Sequence, residues 1–215
     1  MDPGGIVRAL IATAIGLALG SVLPADLLAK RRGVDIRAKG DGNPGTVNAV
    51  RVLGWMPGLV TGLYDVSAGV VAVLVAGMLG VPTGFAYMAG IAVVVGHRFP
   101  VFSGFTGGGQ GMGACAGLLV YGIVVAVSRG WLTAADLALL VAVLALAFVL
   151  SRSDKVAAVA MLPVLVGRLV LAGAEWQFAA FMSAVAGYMW IVQAQAVRRS
   201  LTSRTAKPMH GQTRG

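Results

Sequence analysis

Two stretches of this sequence combine residue types suited to gripping an anion. The first runs from Lys30 to Arg51 and centres on Gly40-Asp41-Gly42-Asn43-Pro44-Gly45. Glycine reaches backbone conformations closed to other residues, so Gly40, Gly42 and Gly45 permit a tight turn whose N–H groups can cradle a phosphate. Asn43-Pro44-Gly45 is itself a turn signal, and Asn43 and Asn48 add amide donors. Arg37, Lys39 and Arg51 bracket the turn, and an arginine fork can hold two phosphate oxygens at once. The second stretch runs from Gly96 to Gly113 and carries glycine at 107, 108, 109, 111 and 113. No Gly-Lys-Ser/Thr follows this run, so it is not a nucleotide P-loop. His97 opens the stretch beside Arg98, placed to serve either as a structural hydrogen-bonder or as a functional group. Phe99, Phe102 and Phe105 recur every third residue and suit a membrane–water interface. A third polar patch, Ser151-Arg152-Ser153-Asp154-Lys155, reads as a short basic connector whose Ser151 and Ser153 offer hydroxyl donors.

The elements that position these stretches are membrane helices. Of 215 residues 58% are hydrophobic and only 12% charged, and the mean hydropathy is +0.85. These values exclude a disordered chain. One cysteine excludes an internal disulfide framework and a cysteine-built zinc site, and two histidines speak against a histidine metal cage, so neither metal nor cofactor is expected. A bilayer core takes about 17–25 apolar residues per helix. Seven segments qualify: Ile6–Leu23, Met56–Leu79, Val81–Val95, Met112–Val127, Trp131–Leu150, Val156–Ala172 and Trp176–Val197. The third and fourth are short and interrupted by glycine, which leaves re-entrant forms open. The expected fold is all-α, a polytopic membrane domain over residues 1–200 with glycine-rich cytoplasmic loops. Residues 201–215 form a basic tail expected to be disordered.

The net charge of +9 has a membrane explanation rather than a nucleic-acid one. With the amino terminus outside, fourteen of the 17 basic residues fall on one face and only Arg8, Arg129 and Arg168 on or near the other. That asymmetry makes the basic face cytoplasmic, in a bacterial-type plasma membrane, and it gathers every glycine-rich loop and the carboxyl terminus there. Ionisable residues inside spans are costly and have partners or functions. Asp136 and Arg168 sit at similar depth near the outer ends of the fifth and sixth spans and are expected to pair. Asp65 lies deeper and is expected to face the bundle interior, hydrogen-bonded to another helix or lining a polar cavity. Cys115 begins a span with no base in evidence and reads as packing.

Val34-Asp35-Ile36-Arg37, Gly40 to Gly45 and Asn48 to Arg51 together resemble the first motif of the PlsY-type acyl-phosphate:glycerol-3-phosphate acyltransferases. Gly96-His97-Arg98-Phe99-Pro100-Val101-Phe102 with the glycine run resembles their second. Gly20-Ser21, Pro24 and Asp65 with Gly69 also fall where that family has similar residues, and the resemblance covers roughly Leu19 to Gly113. It implies transfer of an acyl group from acyl-phosphate to glycerol 3-phosphate, giving lysophosphatidic acid and phosphate. The partners it implies are these two substrates and membrane lipids, with no nucleic acid and no cofactor. Gly42, Asn43, Gly45, Asn48 and Arg51 would then hold substrate phosphate, with Arg37 and Arg98 adding charge. Gly107 and Gly108 would shape the loop around the acyl-phosphate. His97 with Ser151 or Ser153 would stand at the reacting centre.

The sequence departs from the family pattern. Asp41 stands where the family has serine. Thr106 replaces one motif lysine, and Gly109 or Gln110 replaces the other. Ala68 stands in place of a third lysine, and the family's third motif has no counterpart. Each lost charge-assisted bond is worth about 1.5–3 kcal/mol. A non-catalytic relative that binds lipid or phosphate is therefore the competing expectation. A small permease is a third, weakened by the lack of an internal repeat. Convergence of Arg51, His97, Gln110 and Ser151 on one pocket favours catalysis, whereas Asp41 pairing with Arg51 favours the degenerate form.

Overall fold

The computed structural model describes residues 2–205. They form helices α1 (Pro3–Ser21), α2 (Pro24–Arg31), α3 (Thr46–Leu53), α4 (Trp55–Met78), α5 (Thr83–Arg98), α6 (Met112–Ser128), α7 (Ala134–Ser151), α8 (Asp154–Leu171) and α9 (Trp176–Thr205), with single 3-10 turns at Ile36–Ala38 and Val101–Ser103. None of the described residues is in a strand. A long helix overlaps each of the seven expected apolar segments, although α7 begins at Ala134 rather than Trp131, and the two glycine-interrupted segments are continuous as α5 and α6. Four helical segments are long and apolar enough to cross a membrane: Pro3–Ser21, Trp55–Met78, Thr83–Ser103 and Ala134–Ser151. α6 is a shorter apolar helix.

Three expectations need correction. The first span ends at Ser21 rather than Leu23, because Pro24 has no N–H to continue the ladder and instead starts α2 at its first position. The first polar stretch is not a plain loop: its ends fold into α2 and α3, so Asn48 and Arg51 lie on a helix. At the other terminus α9 runs to Thr205, five residues into the expected tail, and residues 206–215 lie outside the described residues.

Small residues set the helix packing. A Cβ on Gly16 or Gly20 of α1 would overlap the carbonyls of Ala89 or Val93 on α5, and one on Gly96 would overlap that of Leu17. The two backbones therefore touch directly, which only glycine permits. Gly117 of α6 meets the Val66 carbonyl of α4 in the same way. α7 packs chiefly on α8, and α8 on α9. Large apolar side chains such as Met78, Leu150 and Leu171 are at least 77% exposed, the surface expected of helices in contact with lipid.

The bundle has two distinct ends. One carries Arg129–Glu175 at 3.4 Å, the Trp131–Phe178 ring contact and Asp136–Arg168 at 2.7 Å. The last is the expected intramembrane pair, with Asp136 also closing a capping box with Thr133 at the start of α7. The opposite end carries both glycine stretches.

Candidate functional site

The site begins on α2. Asp26 is buried and receives Lys30 at 2.9 Å, one helical turn away. It also receives the Arg37 Nη1 group. Burial raises the Asp26 carboxyl, but hydrogen bonds from Lys30 and Arg37 outweigh it and hold the group below its ordinary value of 3.8. The other two Arg37 nitrogens donate to the Gly107 carbonyl, Nε at 2.9 Å and Nη2 at 2.6 Å. Arg37 therefore ties the first stretch to the second through the main chain.

Asn48 organises the first turn from beneath. Its side chain is buried; Nδ2 donates to the carbonyls of Ile36 at 3.1 Å and Lys39 at 3.0 Å, and Oδ1 accepts from the Asp41 N–H at 3.1 Å. Gly40 adopts φ +64°, and a side chain there would overlap the Asn48 carboxamide. Above it, the Asn43 N–H donates to Asp41 Oδ1 at 3.0 Å, and the Gly45 N–H to the Asn43 carbonyl at 2.8 Å. The Asn43 side-chain oxygen accepts from the Gln110 N–H at 3.1 Å, a second tie between the stretches. Arg51 donates to Asp41 Oδ2 at 3.3 Å across an exposed surface.

The second stretch folds back on the end of α5. The Gly109 N–H donates to the His97 carbonyl at 2.9 Å. A Cβ on Gly108 would overlap the Arg98 carbonyl, and one on Gly109 would overlap the His97 ring. The Val101 N–H donates to Ser21 Oγ at 3.0 Å, fixing the loop to the end of α1. From α9 the Tyr188 hydroxyl donates to the Gln110 carbonyl at 2.9 Å. Below the loop, buried His97 places Nδ1 3.9 Å from Asp65 Oδ1. Asp65 Oδ2 accepts from the Thr46 hydroxyl at 3.4 Å, while Oδ1 has no hydrogen-bond partner among the described residues. Asp65 thus faces the bundle interior and meets another helix, α3, through Thr46.

Arg37, Asn43, His97, Gly107, Gly108 and Gln110 come together at the junction of the two stretches, and Gly42, Gly45, Asn48 and Arg51 shape its first wall. Three of the expected phosphate ligands already have partners within the protein. The Arg37 guanidinium is engaged with Asp26 and Gly107, the Asn48 amide with the turn's own backbone, and Arg51 with Asp41. Ser151 and Ser153 are not joined to this junction by any hydrogen bond among the described residues. The Ser151 hydroxyl donates to the Ala147 carbonyl at 2.6 Å, and Ser153 caps α8 through the Val156 N–H at 3.4 Å. Both hydroxyls serve helix ends. The N–H groups of Gly107 and Gly108 and the Asn43 Nδ2 group carry no bond within the described residues, so they are among the donors open to an anion. Sequence reasoning missed Asp26, Thr46 and Tyr188. The spacing of Asp26 and Lys30, one turn apart, signals the first; nothing local signals the other two.

The model of the glycerol-3-phosphate acyltransferase family matches residues 10–203. The chain is 38% identical over 135 residues to glycerol-3-phosphate acyltransferase 1 of Deinococcus radiodurans, spanning 59% of this chain and 68% of that protein. It is 42% identical over 120 residues to the glycerol-3-phosphate acyltransferase of Pelodictyon phaeoclathratiforme, spanning 50% of each. The matched region thus spans from half to about two thirds of these relatives. The crystal structure of PlsY (YgiH), an integral membrane glycerol 3-phosphate acyltransferase, in its glycerol 3-phosphate form superposes with a TM-score of 0.70 at 26% identity, covering 94% of this chain and 96% of that one. Its lysophosphatidic acid form gives a TM-score of 0.67.

Proposed function

This chain belongs to the glycerol-3-phosphate acyltransferase family, and on that premise we propose that it is a membrane enzyme transferring an acyl group from acyl-phosphate to glycerol 3-phosphate. The observation that carries this reading is the junction itself. Two glycine-rich turns about seventy residues apart in sequence are bound to each other by Arg37 and Asn43, leaving main-chain and amide donors at their meeting point. The seven long helices span the bilayer, with the amino terminus outside and the junction at the cytoplasmic face, where both substrates meet the membrane.

In this reading Gly107 N–H, Gly108 N–H and Asn43 Nδ2 hold substrate phosphate. Arg37, Asn48 and Asp26 position the turns rather than touch substrate. The acceptor hydroxyl attacks the acyl carbon, the carbon–oxygen bond to phosphate breaks, and inorganic phosphate leaves. The hydroxyl proton passes to a phosphate oxygen of a substrate, so no protein nucleophile is needed. The protein contributes orientation and charge stabilisation. His97, held against Asp65 and beneath Gly109, positions the glycine loop from inside.

The Arg51–Asp41 contact favours the second reading, a non-catalytic phosphate- or lipid-binding relative. Exposed pairs contribute only about 0–1 kcal/mol, so a doubly charged phosphate can displace Asp41 from Arg51. The test is incubation of the purified protein with acyl-phosphate and labelled glycerol 3-phosphate. Labelled lysophosphatidic acid formed in step with released phosphate supports the enzyme. Binding of glycerol 3-phosphate with no product, at any protein concentration, supports the second reading.

A further inference from the structure

α3 folds back along the start of α4. Gly58 lies against the main chain of Val50, and Gly62 against Thr46, so the two helices run antiparallel about an elbow at Gly54, where φ is +97°. Trp55 stands at the tip of that elbow and is 68% exposed. From Met56 an exposed apolar face continues through Leu59, Leu63 and Leu74 to Met78. At about 1.5 Å per residue this stretch rises about 33 Å, against about 30 Å for the hydrocarbon core of a bilayer. The elbow therefore lies at headgroup depth, the level that tryptophan favours. Arg32, just past the end of α2, reaches this elbow from 21 residues away, where its Nη1 donates to the Leu53 carbonyl at 2.7 Å. The other guanidinium nitrogens of Arg32 make no bond among the described residues. Beside it the exposed Arg31 guanidinium makes neither hydrogen bond nor ion pair there.

Two open guanidinium groups thus stand by an exposed indole at the end of a lipid-facing helix surface. The carboxylates nearest in sequence do not cancel their charge. Asp26 is taken by Lys30 and Arg37, Asp41 by Arg51, and Asp35 accepts from the Arg37 N–H in its own turn. A surface open on its membrane side suits a phosphate carried by a lipid, whose chains lie on the α4 face while its headgroup meets the cations. We propose that the end of α2 and the α3–α4 elbow bind the headgroup of an anionic phospholipid of the inner leaflet. The site rests on the membrane orientation given above and not on the transfer reaction. Its position matters because α2 carries Asp26 and α3 carries Asn48, two residues that hold the first glycine stretch in place. A lipid bound by Arg31 and Arg32 clasps the helices from which that stretch hangs.

The experiment uses the purified full chain in vesicles of phosphatidylcholine and phosphatidylglycerol, with bromine on the chains of one lipid at a time. Trp131→Phe, Trp176→Phe and Trp190→Phe leave Trp55 as the reporter, whose fluorescence the bromines quench on contact. Quenching is expected to show phosphatidylglycerol preferred at Trp55 by about tenfold or more. Arg31→Gln, which breaks no side-chain bond among the described residues, is expected to cut that preference about fivefold, and Arg31→Gln with Arg32→Gln to abolish it. Arg152→Gln, which removes a cation between α7 and α8, is expected to leave it unchanged, as is added inorganic phosphate. In the chain with all four tryptophans, the melting temperature in the same vesicles is expected to rise with phosphatidylglycerol content, and Arg31→Gln to flatten that rise. Equal quenching by the two lipids, an equal loss from Arg31→Gln and Arg152→Gln, or displacement by inorganic phosphate overturns the inference. An Arg31-dependent preference in a protein that forms no labelled lysophosphatidic acid upholds this site while removing the catalytic reading.

Discussion

Replacing Arg37 with alanine tests the junction most directly. The guanidinium makes one charge-assisted bond to buried Asp26 and two bonds to the Gly107 carbonyl. A hydrogen bond to a charged group contributes about 1.5–3 kcal/mol, and a bond to a carbonyl about 0.5–1.5 kcal/mol. The carboxylate is not orphaned, because Lys30 stays at 2.9 Å, so the loss falls short of the roughly 3–5 kcal/mol that follows stranding a buried charge. The two carbonyl bonds converge on one oxygen and are not additive. Together these terms give a loss of about 2–4 kcal/mol. That loss should appear in the second stretch, 70 residues away, and not only beside position 37. Two measurements check it: thermal unfolding in detergent, and hydrogen exchange at the Gly109 and Gln110 amides, whose acceptors depend on the loop staying in place. Arg37→Ala is expected to lower the melting temperature and speed exchange at both amides, with transfer activity falling alongside. Exchange at Gly109 and Gln110 equal to wild type, with stability within about 0.5 kcal/mol, would refute the claim that Arg37 joins the two turns.

Gly108→Ala drives a methyl group into the Arg98 main-chain carbonyl, which cannot yield as a side chain can, so transfer should fall by at least tenfold while overall helicity is kept; circular dichroism beside turnover checks both halves. The Asp26 carboxyl is held below its ordinary value, so its contribution is present above pH 3.8 and is lost as pH falls through the lower folded value. Melting temperature against pH should therefore drop more steeply below pH 3.8 for wild type than for Asp26→Asn, and parallel curves would count against the assignment. Arg168→Ala leaves Asp136 bonded only to Thr133 at the start of α7, and should cost about 1–3 kcal/mol, read as a lower melting temperature. Asp136→Asn in the Arg168→Ala background should lose less than the two single changes summed, because the pair is already broken.

The long helices could be read from the sequence because runs of Leu, Val and Ala of bilayer length have few other folded solutions. The Asp136–Arg168 pair could be read because two charges at matched depth in antiparallel helices have nowhere else to go. Arg37 was visible as a cation beside a glycine turn, but its direction was not. Asp26 lies 11 residues away, on α2 against the Ile36–Ala38 turn, and the Gly107 carbonyl 70 residues away, so neither partner is signalled by the residues next to Arg37. Asn48 resembled an open amide donor because its partners are main-chain carbonyls, which carry no residue-type signal. The short helices α2 and α3 were hidden by the polar composition around them. Tyr188 could not have been found from its own surroundings, since it meets Gln110 from a helix 78 residues later.

Both ties between the glycine turns end on main-chain atoms, the Gly107 oxygen and the Gln110 nitrogen. The enclosure therefore keeps its outline whatever side chains occupy positions 106 and 110, because no tie depends on those residue types. Substitution at those two positions is therefore expected to change the lining of the enclosure and leave its walls assembled as they are.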